Sequence, residues 1–99
     1  MIPTIGRIVL YKLTPGDAAQ AAYRIANSYH GNAPRHGDVY PAMIVRVWGN
    51  TAQSLVQLQV FIDGDFTLWA TSVMEASQSP LDLPDHPHPE RTYIWPTIA

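Results

Sequence analysis

Arg46, Trp48, Gln57, Gln59, Trp69 and Thr71 are the residues whose types and spacing offer the most chemistry. They fall at alternate positions within GDVYPAMIVRVWG and SLVQLQVFIDGDFTLWATSV, so three extended strands would turn them to one face. Such a face supplies ring planes for stacking, amides for hydrogen bonds to base or ribose edges, and a planar cation for phosphate. A second reading is equally physical: outward tryptophans also mark subunit interfaces and the underside of a docked helix. The two are compatible where ligand pockets form between subunits.

Other clusters are weaker. Asp82, Asp85, His86, His88 and Glu90 combine carboxylates with a His-x-His pair, a set that zinc accepts. They sit in a Pro-rich stretch without a strand or helix to fix ligand geometry, so a solvated loop is expected and no metal. His30 and His36 flank another loop, and Asp38 lies close enough to His36 for an acid-base pair, yet no nucleophile is tied to them by sequence. The expectation is a binding protein without catalytic residues or cofactor. Arg91 and Lys12 read as solvated charges that clamp phosphate only if the barrel mouth brings them close. Tyr11, Tyr40 and Trp95 read as rim packing that could line a pocket, and with Arg91 they complete the candidate ligand-binding set.

Local signals along the chain determine what must position these groups. Ile5 to Tyr11 is short and rich in β-branched residues, a first strand. Thr14-Pro15-Gly16-Asp17 is a helix start, with Thr14 as cap and Asp17 set against the helix dipole. The helix should run to about Tyr29 with Ala18, Ala22, Ile25, Ala26 and Tyr29 on a narrow apolar stripe, stopped by Gly31 and Asn32. A second strand spans Asp38 to Trp48, with Pro41 holding its first part at an edge or bend, and places Met43, Val45 and Val47 opposite Ile44, Arg46 and Trp48. Leu55 to Ile62 is the third, followed by a turn at Asp63-Gly64.

Two turns compete there. A two-residue loop puts Trp69 beside Leu58, whereas a three-residue Ile62-Asp63-Gly64 loop puts Leu68 there. The longer loop segregates polarity better. It sends Val56, Leu58, Val60, Phe66, Leu68 and Ala70 inward and Gln57, Gln59, Thr67, Trp69 and Thr71 outward. With a short last strand around Tyr93-Ile94-Trp95, the expected fold is mainly β: a small antiparallel SH3-like barrel of about five strands with one inserted α-helix. Glu75 to Pro89, rich in Ser and Pro, reads as an extended surface strap.

Ninety-nine residues make one domain, 1–99, and 46% hydrophobic content with ten aromatics fills one modest core. Cysteine is absent, which suits a reducing cytosol and excludes a disulfide scaffold. A spanning helix and an export signal are not expected, so neither is a membrane partner. Six Lys and Arg against eight Asp and Glu, net charge -2, give no broad cationic field for DNA or RNA. One or two arginines still suffice for a small anion.

The opening MIPTIGRIVLYKLT, the central GDVYPAMIVRVWG, the QVFIDGDFTLWATSV segment and the terminal WP together resemble a group of short accessory proteins of tailed phages and prophages. The likeness covers the first strand and most of Gly37 to Val73, and the ending ERTYIWPTIA departs from the WxWPxR ending of the group. The resemblance implies a phage protein acting in the host bacterial cytoplasm. Phage proteins of this size include sponges that sequester nucleotide signals of bacterial immune systems such as Thoeris and CBASS, among them cyclic ADP-ribose derivatives and cyclic oligonucleotides. A homo-oligomeric sponge, with pockets buried between subunits, is the expectation that follows. An adaptor or virion protein docking through the tryptophan face, and a signal hydrolase using His36 or the His86 and His88 pair, are its rivals.

Overall fold

The sheet closes on itself. In the computed structural model, which describes residues 1–78 and 88–96, β1 (Ile8–Lys12), β2 (Val39–Val47), β3 (Val56–Phe61), β4 (Thr67–Glu75) and β5 (Thr92–Ile94) form a closed barrel in chain order. One helix, α1 (Pro15–Asn27), lies between β1 and β2, and a single 3-10 turn, Ala76–Gln78, follows β4. Neighbouring strands are antiparallel except β4 and β5, which run parallel. The fold is therefore the small five-stranded barrel with one helix that the strand pattern implies. Residues 79–87, which hold most of the expected proline-rich strap together with Asp82, Asp85 and His86, lie outside the described residues.

Alternation along the strands builds the core. Val9 and Tyr11 from β1, Ala42 and Ile44 from β2, Val56, Leu58 and Val60 from β3, Leu68, Ala70 and Val73 from β4 and Tyr93 from β5 are all buried. Pro41, without an N–H to donate, sits opposite Leu10 of β1, just before Ala42 begins the pairing with β3.

The β3–β4 hairpin differs from both expected turns. Phe61 pairs with Thr67 and Leu58 with Ala70, so the loop runs over five residues, Ile62 to Phe66. That register is two residues from the preferred three-residue turn, and because side chains repeat every two residues the inward and outward sets are unchanged. The extra loop length is held from outside. His30 N donates to Asp65 Oδ1 at 2.9 Å, Asp65 N donates to His30 O at 2.9 Å, and Asn32 N donates to Asp63 O at 2.8 Å.

Gly31 thereby has a different task from the expected helix stop. Ser28 N and Tyr29 N already close α1 on Arg24 O, at 3.0 and 2.9 Å. Gly31 instead lets two backbones touch: a Cβ there would lie 2.6 Å from Asp63 O and 2.7 Å from Gly64 Cα. Gly31→Ala is expected to push the clasp apart at a cost of about 1–3 kcal/mol, read as a lower melting temperature. An unchanged melt would mean the clasp carries no stability.

The helix is capped as its sequence suggests but rotated. Asp17 N donates to Thr14 Oγ1 at 3.1 Å and Thr14 N to Asp17 Oδ2 at 3.0 Å, a reciprocal box. Ala21 is buried and Asp17, Ala18, Arg24 and Ile25 are half-buried, whereas Ala22 and Ala26 face solvent. Two polar anchors cause the rotation. Tyr11 Oη donates to Asp17 Oδ2 at 2.7 Å, and Arg24 Nη1 donates to Thr67 O at 3.3 Å while its guanidinium lies 5.7 Å from the Phe66 ring centroid.

His88 contributes a pH dependence. Its Nε2 donates to Thr92 O at 3.0 Å beside β5. Burial pushes its pKa below the ordinary imidazole value; the bond to Thr92 O opposes this and Lys12 adds to it. A depressed folded value means that the unfolded chain binds the proton more readily, so stability is full above about pH 6.5 and falls as acid drives the pH below it. The melting temperature should drop between pH 7.5 and 5.5, and His88→Gln should flatten that drop. An identical drop in the variant would contradict the assignment.

Candidate functional site

Three strands present the outer face, and a bulge sets its pattern. Ile44 pairs with Leu58 and Arg46 with Gln57, so Val45 is an extra residue in β2. The bulge corrects the expected alternation: Ile44 is core, Val45 and Arg46 both face solvent, and Val47 turns back toward the core. Arg46 and Trp48 still share the outside. Trp48 is 51% exposed, its backbone N–H donates to Leu55 O at 2.9 Å, and the Arg46 guanidinium lies 4.1 Å from its ring centroid. That stack holds a planar cation against a half-exposed ring, with its N–H donors along the guanidinium edge. Among the described residues no carboxylate pairs with Arg46.

A second bulge lies across β3. Val56 pairs with Val73 but Leu58 with Ala70, leaving Thr71 and Ser72 together opposite Gln57, with Ser72 at φ +54°. Gln57 is only 8% exposed, and its Oε1 accepts from Thr71 Oγ1 at 2.7 Å and from Ser72 N at 2.6 Å. Its carbonyl end is thus committed to the fold, and only its amide nitrogen remains for a ligand. Gln59 Oε1 likewise accepts from Thr67 Oγ1 at 2.7 Å. Trp69, 58% exposed, pairs with Gln59, so β3 lies between it and Arg46.

The remaining candidates divide. Tyr11 is fully buried and belongs to the core, with burial first and Asp17 second raising its pKa well above the ordinary phenol range. Its apolar neighbours in β1 gave no hint of this. Tyr40 is half-buried against the core, and burial followed by Asp38 and Asp63 raises its pKa. Trp95 packs edge-on against Tyr93 at 5.6 Å, with the Arg7 guanidinium 5.4 Å from its ring centroid, an arginine that the sequence pattern did not single out. Arg91 is exposed at φ +64°, and its Nη2 donates to Thr71 O at 3.0 Å, which brings it to the second bulge.

His30 and His36 pair with carboxylates and with none of these side chains. His36 Nδ1 lies 3.1 Å from Glu90 Oε1, while Asp38, its expected partner, accepts from Arg35 N at 2.9 Å. His30 Nδ1 lies 3.2 Å from Asp65 Oδ2 within the hairpin clasp, and the His30 backbone N–H is the main cause of a lowered Asp65 pKa. Among the described residues no three His, Asp or Glu converge as metal ligands, and no helix is long and apolar enough to cross a membrane. No family model, curated protein or solved structure matches the chain.

Proposed function

We propose that this chain is a phage accessory protein that binds a nucleotide-derived bacterial immune signal in the host cytoplasm, without chemistry, and so blunts the defence. The observation that carries the proposal is the exposed Arg46 and Trp48 stack, 4.1 Å from guanidinium carbon to ring centroid, a cation and an aromatic surface side by side with no described carboxylate partner. A phosphate on the guanidinium edge and a base on nearby aromatic surface are the ligand chemistry this arrangement suits. The resemblance of the strand segments to short proteins of tailed phages supplies the setting.

Self-association belongs to the same proposal. Ile8, Val45, Phe61 and Trp69, one on each of β1 to β4, are exposed apolar side chains that a second copy would shelter. Light scattering showing only an 11 kDa species at micromolar concentration would remove that part.

The function is tested by incubating purified protein with cyclic ADP-ribose derivatives and cyclic oligonucleotides. A sequestering protein depletes one of them from solution and returns it intact after heating. Recovery of an altered product would instead mean a hydrolase, and a ligand left free would favour the protein-docking alternative.

A further inference from the structure

Across the outer face runs a continuous polar strip that joins two arginines. Arg46 of β2 is the register partner of Gln57 of β3. Gln57 Oε1 holds Thr71 Oγ1 at 2.7 Å and Ser72 N at 2.6 Å, and Thr71 O accepts from Arg91 Nη2 at 3.0 Å. Arg46, Gln57 and the Thr71–Ser72 pair are thus neighbours across β2, β3 and β4, and Arg91 reaches the same bulge through the Thr71 carbonyl.

Two further observations separate this strip from ordinary sheet surface. Ser72 at φ +54° and Arg91 at φ +64° are the non-glycine residues with positive φ among the described residues, and both lie on it. Left-handed backbone is unfavourable for such side chains and persists only where the surroundings impose it, which here aims a hydroxyl and a guanidinium at the same bulge. Arg46 and Arg91 have no carboxylate partner among the described residues, and Glu90, next to Arg91 in the chain, is engaged by His36 at 3.1 Å. What the strip offers is donors: two guanidinium edges, the Ser72 hydroxyl and the Gln57 amide nitrogen.

Resting on the nucleotide-binding proposal above, we infer that the ligand carries two separated phosphates, as a dinucleotide does, one held by Arg46 beside Trp48 and the other by Arg91 at the β4 bulge. Spacing argues for two groups. Arg46 stacks on Trp48 at the end of β2 and Arg91 is held at Thr71 O of β4, two strand spacings or about 10 Å across the sheet, so while both contacts are kept each guanidinium meets its own phosphate. A ligand with a single phosphate uses half of the strip; one with two phosphates spans it, with the sugar and base between them over Gln57 and Ser72.

The test is calorimetry on the full chain with two probes, adenosine monophosphate and the linear dinucleotide pApA, for the parent, Arg91→Asn and Arg91→Gly. Asparagine and glycine both accept the positive φ of position 91, and a melting curve for each variant confirms the fold. The parent should bind pApA at least tenfold tighter than the monophosphate. Each Arg91 variant should close that gap and lower the salt dependence of pApA binding by roughly one phosphate's worth of slope. Equal binding of both probes by the parent, or full pApA affinity in a folded Arg91 variant, overturns the two-phosphate inference and leaves the nucleotide-binding proposal standing. A parent that binds neither probe also overturns the two-phosphate inference, and the depletion assay with the cyclic signals then decides the nucleotide-binding proposal.

Discussion

Gln57→Leu is expected to destabilise the barrel by about 1–3 kcal/mol, from the loss of two part-buried hydrogen bonds at about 0.5–1.5 kcal/mol each. In a domain of this size each kcal/mol lowers the melting temperature by about 4–8 °C. Leucine fills nearly the same space, so packing changes little. What disappears is the Oε1 acceptor shared by Thr71 Oγ1 at 2.7 Å and Ser72 N at 2.6 Å. Ser72, at φ +54°, then holds an unfavourable backbone conformation with no partner to impose it. Gln57→Glu keeps the acceptor oxygens and should melt close to the parent at neutral pH. If the leucine and glutamate variants melt alike, the amide oxygen is not what holds the bulge.

Arg46→Ala carries the largest expected effect on binding. A charge-assisted bond to phosphate contributes about 1.5–3 kcal/mol, hence roughly ten- to hundredfold in affinity. Because Arg46 is exposed and has no described ion pair, the melting temperature should barely move. Trp48→Ala should cost a comparable amount through lost stacking, about 1–3 kcal/mol per base. The two losses should overlap, since the Trp48 ring also holds the guanidinium in place at 4.1 Å. Trp69→Ala serves as the comparison: β3 separates it from Arg46, so its loss should be the smaller. Parental affinity in Arg46→Ala for the nucleotide that the parent binds would remove phosphate recognition from this residue.

The barrel was legible in the sequence because its strands obey a simple period. Val56, Leu58 and Val60 alternate with Gln57 and Gln59, and that pattern needs no tertiary information to be read. The face of β4 was legible for a subtler reason: the loop is longer than the preferred three-residue turn by two, an even number, so parity survived while pairing did not. The bulges were hidden. Continuing the alternation through Val45 put Ile44 on the same face as Arg46 and Trp48, and an isoleucine sharing the arginine's face was the available warning. Ser72 gave no warning at all, since a positive φ in a serine is imposed by Gln57 from another strand. Tyr11 was misplaced because a tyrosine in an apolar strand fits rim or core equally until its hydroxyl finds Asp17 on α1. The helix face rotated for the same reason, drawn by Asp17 and Arg24 toward β1 and β4, so that Ala21 is buried and Ala22 and Ala26 are not.

The most direct test uses the three tryptophans as reporters. Their indole N–H signals in a two-dimensional nitrogen-proton spectrum can be assigned with Trp48→Phe, Trp69→Phe and Trp95→Phe, and followed while pApA is added. Binding at the Arg46 stack should shift the Trp48 signal most, Trp69 less, and Trp95, which packs against Tyr93, least. A spectrum in which Trp95 moves while Trp48 stays fixed would place the ligand elsewhere, and one in which no indole moves at saturating pApA would leave the outer face without its nucleotide.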